Sequence, residues 1–247
     1  MREFSTDLQT DIPANRRFHR CRQAALIAAS ALLSLSLYTA DADAAPALRL
    51  DDGSNVLTII DQGVNDLSAQ AGGIAFIGNF GSFIFNVTGA STKPLIGSAS
   101  EPRMDLSSLN VTGTTAGSLQ LFFTDTDFIG SGGPINFISG IGGATAGLIQ
   151  FDAYASASNL PFATDILLGS SGLLNGVTFS YENTSDIALS GNYSLTTVVT
   201  IIHNTGGLNS SVNAVIEIPE PAFAPAILGG ALLVGARLAG RRRRRNA

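Results

Sequence analysis

Residues 195–203 read Leu-Thr-Thr-Val-Val-Thr-Ile-Ile-His, residues 204–210 Asn-Thr-Gly-Gly-Leu-Asn-Ser, and residues 211–218 Ser-Val-Asn-Ala-Val-Ile-Glu-Ile. The first segment is dominated by β-branched side chains, which suit a pleated, half-buried surface. The last alternates strictly: Val212, Ala214, Ile216 and Ile218 face one way, and Ser211, Asn213 and Glu217 the other. Glycine and asparagine between them mark a turn. These are the clearest strands of the chain, and they set the pattern for reading the rest.

Working back from them, the same short β-type runs recur between glycine, asparagine and aspartate. Residues 48–50 lead into the turn signal Asp51-Asp52-Gly53, and residues 56–60 close on Asp61-Gln62-Gly63. Residues 74–77 and 80–87 flank Gly78-Asn79, which predicts a hairpin there. Residues 89–103, with Pro94 and Pro102, read as a loop. Residues 106–111 and 119–124 are expected to pair. Gly130-Ser131-Gly132-Gly133-Pro134 reads as a loop, residues 140–143 as a break, and residues 148–154 as a strand with Ile149, Phe151 and Ala153 on one face. Residues 135–138, 166–168 and 177–181 are shorter runs. The total is about ten to twelve short strands, with no sustained 3.6-residue period. The predicted fold is therefore all-β: an antiparallel β-sandwich, jelly-roll-like, over residues 45–218.

Forward of the last strand, Pro219 and Pro221 end it by removing backbone donors. An apolar segment follows over residues 222–240, interrupted only by Arg237, and then Arg241, Arg242, Arg243, Arg244 and Arg245. Nineteen residues approach the span of about 20 that a transmembrane helix needs, and the arginines would remain cytoplasmic. Residues 219–247 resemble the PEP-CTERM sorting signal of Gram-negative bacteria: the triplet Pro219-Glu220-Pro221, a membrane segment and an Arg-rich end, in that order. The resemblance implies recognition by an exosortase, transient or stable residence in the inner membrane, and delivery to the cell surface or matrix of an organism that makes exopolysaccharide.

At the other end, Arg16, Arg17, Arg20 and Arg22 precede an apolar run over residues 24–38 and then small residues. Residues 1–44 are thus expected to be a secretory signal peptide with a long n-region. Ala42-Asp43-Ala44 supplies the small–x–small pattern and places the cut before Ala45, with Ala40-Asp41-Ala42 as a second candidate. Sec export machinery and signal peptidase are the implied partners. Cys21 lies ahead of the apolar run, so the body has no thiol.

Between the two signals, Arg49, Lys93 and Arg103 stand against fourteen acids, a net charge of −11 that the whole-chain value of −5 conceals. Such a body excludes nucleic acid and anionic membrane surfaces as partners. Without tryptophan, and with only Tyr154, Tyr181 and Tyr193, it offers few stacking platforms for a sugar. Polysaccharide hydrolysis would need two carboxyls across a cleft, and the sequence pairs Asp51/Asp52, Asp61/Asp66 and Asp125/Asp127 only as near neighbours. His203 reads as an exposed strand-end residue without a serine elbow. Asp125 and Asp127 could offer oxygen to calcium, although a solvated turn explains them as well. No catalytic residues are assigned. The function read from the sequence is that of an exported structural or adhesive surface protein in an exopolysaccharide or biofilm setting, the alternative being a carbohydrate-binding module, with or without calcium.

Overall fold

The computed structural model describes residues 45–219. The signal-peptide residues Ala42 and Ala44, the sorting residues Glu220 and Pro221, the apolar segment and Arg241 to Arg245 lie outside the described residues.

Ten antiparallel strands follow one another: β1 (Ala47–Asp51), β2 (Val56–Ile60), β3 (Gly73–Phe80), β4 (Phe83–Ser91), β5 (Arg103–Gly113), β6 (Gly117–Thr145), β7 (Leu148–Ser156), β8 (Ile166–Asn175), β9 (Thr178–His203) and β10 (Asn209–Glu217). No helix occurs among the described residues. The all-β, antiparallel expectation is met. Two of the strands, however, are far longer than short alternating runs suggest: β6 has 29 residues and β9 has 26.

These two pair along nearly their whole length, and the ribbon they form is the spine of the fold. Register shifts between Asp125 and Phe128, and again between Ser131 and Pro134, bend it in the middle. Beyond the bend on one side, the first part of β6 takes β1, with β2 outside it, while the last part of β9 takes β7 and then β8. On the other side the last part of β6 takes β10, followed by β5, β4 and β3. Leu48, Leu121, Phe123 and Phe151 of the first wing share one apolar cluster with Phe83, Phe85, Met104 and Ile216 of the second. The two wings are therefore layers over a common core. Each fully buried phenylalanine there contributes about 1.5–3 kcal/mol of transfer free energy.

Four sequence expectations need correction. The hairpin between β3 and β4 turns at Gly81-Ser82, with Phe80 opposite Phe83, and not at Gly78-Asn79. Gly81 has φ +55°, which a tight turn between twisted strands requires; Gly78 instead sits at a bulge within the pair. Residues 106–111 and 119–124 do not pair: β5 lies between β4 and β10, and the chain then passes into the other wing. The glycine runs 130–134 and 140–143 lie inside β6. Residues 177–181 and 195–203 belong to one strand, β9. The runs that were expected do form: β7 buries Ile149, Phe151 and Ala153, and β10 buries Val212, Ala214 and Ile216.

Candidate functional site

Asp125 is not a solvated turn residue. It lies inside β6, is fully buried, and its two carboxylate oxygens are each 3.1 Å from Lys93 Nζ. Thr92 Oγ1 donates to it at 2.8 Å, as does the Thr126 amide. Burial pushes the Asp125 carboxyl above the usual range, and the Lys93 ammonium partly offsets this. Asp127 occupies the bulge with φ +59°. Its Oδ1 accepts from Asn159 Nδ2 at 2.7 Å and Asn192 Nδ2 at 3.1 Å, and its amide donates to Asn159 Oδ1 at 2.8 Å. An ammonium already stands where a cation would be held, so these residues do not fit calcium. Their geometry is that of a brace between the residue 92–102 loop, the β6 bend and the β7–β8 loop.

The other flagged carboxylates also serve the backbone. Asp51 and Asp52 cap their own turn: Gly53 N donates to Asp51 Oδ1 at 2.8 Å, and Asn55 N to Asp52 Oδ1 at 2.7 Å. These bonds hold the Asp52 carboxyl below its usual range, led by the Asn55 side chain. Asp66 accepts from the amides of Gln62, Ser68 and Ala75, and Asp61 from that of Gly72.

His203 is buried rather than exposed, at 1%. It sits at the end of β9 against the Phe83 ring, with Nε2 2.9 Å from Ser210 Oγ, which in turn lies 2.8 Å from Thr145 Oγ1. Nδ1 has no partner. Burial holds the imidazole below its usual value. Histidine and serine meet here, but within the core, where no acid among the described residues orients the ring and a substrate has no access.

A different place is open. On the outer face of the second wing, a trough of about 560 Å³ crosses β5, β10, β6 and β9. Its floor is Gly140 and Gly142, whose neighbour Ile141 turns into the core. The register sets Asp105 opposite Val215, Val215 opposite Gly140, and Gly140 opposite Glu182. Asp105 and Glu182 thus rise from strands three spacings apart, about 14 Å at strand spacings near 4.8 Å. Asn213 and Ser180 flank Gly142 on either side. Arg103 Nε bonds Glu217 at 3.4 Å at one end. Half-burial raises the Asp105 carboxyl, against the pull of Arg103. A Cβ at Gly142 would meet only Phe179 O, at 3.8 Å, so the backbone leaves room for a side chain there, whereas one at Gly140 would stand 3.1 Å from Tyr181 O.

Sequence reading missed this site. Asn213 and Glu217 were legible as outward residues of β10, and the glycine run was visible. What joined them to Asp105 and Glu182 is strand order, which periodicity does not contain. Of the sorting and cleavage residues, only two are described: Ala45, exposed just ahead of β1, and Pro219, exposed just after β10. The Ile218 amide, between β10 and Pro219, donates to Pro102 O at 3.3 Å.

No protein-family model and no curated protein matches the chain. Among solved structures, the C-terminal CBM6 of a marine laminarinase from Zobellia galactanivorans is similar at 15% identity and a TM-score of 0.26, covering 51% of this chain and 86% of that one. The CBM22-1 xylan-binding domain of Paenibacillus barcinonensis Xyn10C gives 8% identity and a TM-score of 0.29, over 64% and 92%. The K3 adhesin domain of Lys-gingipain from Porphyromonas gingivalis gives 14% and 0.28, over 54% and 74%. Overlaps this slight fix neither a family nor a ligand for this chain.

Proposed function

We propose that this chain is a non-catalytic glycan-binding protein that works outside the cytoplasm, with the trough floored by Gly140 and Gly142 as its binding face. The trough carries the reading. It is open and lined by polar groups: carboxylates at Asp105 and Glu182, the hydroxyl of Ser180, and the amide of Asn213, whose Oδ1 is held by the Ser108 amide at 2.8 Å. Such groups suit a ligand whose hydroxyls both donate and accept. A net charge of −11 over residues 45–220 disfavours polyanions, so a neutral polysaccharide is the matching class. Of the trough's three carboxyls, Glu217 is engaged by Arg103, while Asp105 and Glu182 stand on strands three spacings apart.

The export part of this reading is supported by sequence: the signal-peptide pattern ending at Ala42-Asp43-Ala44, and the tail Pro219-Glu220-Pro221 with Arg241 to Arg245. Under it, Sec machinery and signal peptidase handle the first end and an exosortase the second, and the body reaches the surface or the exopolysaccharide. Exchange of Glu220 for alanine should leave the protein in the inner-membrane fraction; normal surface delivery would refute the sorting assignment. A purely structural matrix protein is the second reading, favoured if no glycan binds. Binding itself is tested by affinity electrophoresis of the protein and its Gly142→Phe variant through gels containing laminarin, xylan or mannan.

A further inference from the structure

The free edge of β2 has the chemistry of an interface. Two loop bonds fix the phase of the β1–β2 ladder: Asp52 N donates to Asn55 O at 3.2 Å, and Asp61 N to Pro46 O at 3.0 Å. The register pairs Leu50 with Leu57 and Leu48 with Ile59, so those residues bond to β1. Val56, Thr58 and Ile60 must then point their amides and carbonyls outward. Only the Ile60 carbonyl finds a main-chain partner there, Gly63 N at 2.8 Å. The side chains of Val56 and Ile60 are 62% and 52% exposed. The strand holds no charge and no proline, the usual protections of a free edge.

The other outer strands are covered over part of their length. Along β3, Ala75 O accepts from Leu67 N at 2.8 Å, and Ala75 N donates to Asp66 Oδ1 at 2.9 Å. Along β8, Leu168 O accepts from Asn183 Nδ2 at 2.7 Å, and Ser170 N donates to the Tyr181 hydroxyl at 3.1 Å.

We infer that β2 pairs antiparallel with β2 of a second copy of this chain, about a two-fold axis through Thr58. The sequence Val-Leu-Thr-Ile-Ile is close to palindromic in the sense that matters. Such pairing sets Thr58 opposite itself, Val56 opposite Ile60, and Leu57 opposite Ile59. The three residues with outward backbone groups are then the ones that exchange bonds, the Ile60 carbonyl through the lone pair that Gly63 N leaves free. Apolar β-branched pairs meet on the exposed face. No acid opposes an acid, since the first flanking pair is Asn55 with Asp61. Because the contact is isologous, each copy spends the same edge on its partner, and the pair closes as a dimer.

The test is oxidative cross-linking of the full chain in a Cys21→Ser background. Directly opposed residues of a bonded pair lie about 5.5 Å apart at Cα, within disulfide reach. Thr58→Cys should therefore yield a disulfide-linked dimer, whereas Val56→Cys, which would face Ile60, should not. Adding Val56→Lys and Ile60→Lys to Thr58→Cys sets lysines opposite one another at exposed positions. It should slow cross-linking about tenfold or more while circular dichroism stays unchanged. Failure of Thr58→Cys to cross-link would overturn the inference. So would equal cross-linking of Thr58→Cys and Val56→Cys, or indifference to the added lysines.

Discussion

At the scale of single residues, two buried ionisable groups make opposite demands on pH. The Asp125 carboxylate is fully buried and its compensating charge is Lys93, whose ammonium also lies 4.8 Å from the centre of the Phe128 ring. Lys93→Met strands that carboxylate and should cost about 3 kcal/mol at pH 7, measured by urea unfolding. Burial holds the folded-state pKa above the unfolded one, so the native state loses stability as pH rises from the unfolded pKa through the folded one. The variant's deficit should accordingly shrink as pH is lowered through that raised pKa and the carboxyl takes up its proton; a deficit that does not change with pH would contradict the brace. His203 behaves in the reverse sense. Its folded pKa lies below the ordinary value near 6.5. Its contribution is complete above that value and is lost as pH falls from it towards the folded pKa, because the unfolded chain binds the proton first. The native protein should lose more stability between pH 7 and 5.5 than His203→Gln does. Parallel losses would mean that the imidazole is not the group titrating.

At the scale of elements, the β6–β9 ribbon explains why glycine misleads in this chain. Glycine normally weakens a strand, and clusters of it signal loops. In β6 several glycines instead mark places where another backbone comes close. A Cβ at Gly130 would come within 2.3 Å of Leu189 O, and one at Gly143 within 2.1 Å of Ser211 O. At Gly133 the nearest atom is Ser131 Oγ, at 3.7 Å. Gly130→Val and Gly143→Val should each destabilise by about 2 kcal/mol or more, and Gly133→Val by clearly less. Similar losses at all three would show that β propensity, not crowding, sets the cost. What was legible in the sequence follows the same logic. Strands with an unbroken apolar/polar alternation, β7 and β10, stood out with the right faces. So did the Asp51-Asp52-Gly53 turn, whose bonds are local. The hairpin at Gly81-Ser82 was displaced because a bulge at Gly78 carries an equally good turn signal. Asp125 and His203 were misplaced because their burial is imposed by distant partners, the residue 92–102 loop and β4 respectively.

At the scale of the whole molecule, two layers meet over one core, and their outer surfaces differ in use. The second wing presents the polar trough, and the first ends in the apolar edge of β2. Acidity is spread across the body, while the sequence places its compensating arginines in the terminal segments. Under the function proposed above, that division fits a domain carried outward by its ends to meet an uncharged polymer. Gly142 gives direct access to the trough, because the fold leaves room there for a larger side chain. The decisive measurement is the migration of the protein and of Gly142→Phe in native gels with and without laminarin, xylan or mannan. The account predicts retardation of the native protein by at least one of these glycans and its loss in Gly142→Phe, with unchanged unfolding midpoints. Retardation that persists in the variant, or no retardation by any neutral glycan, would contradict it.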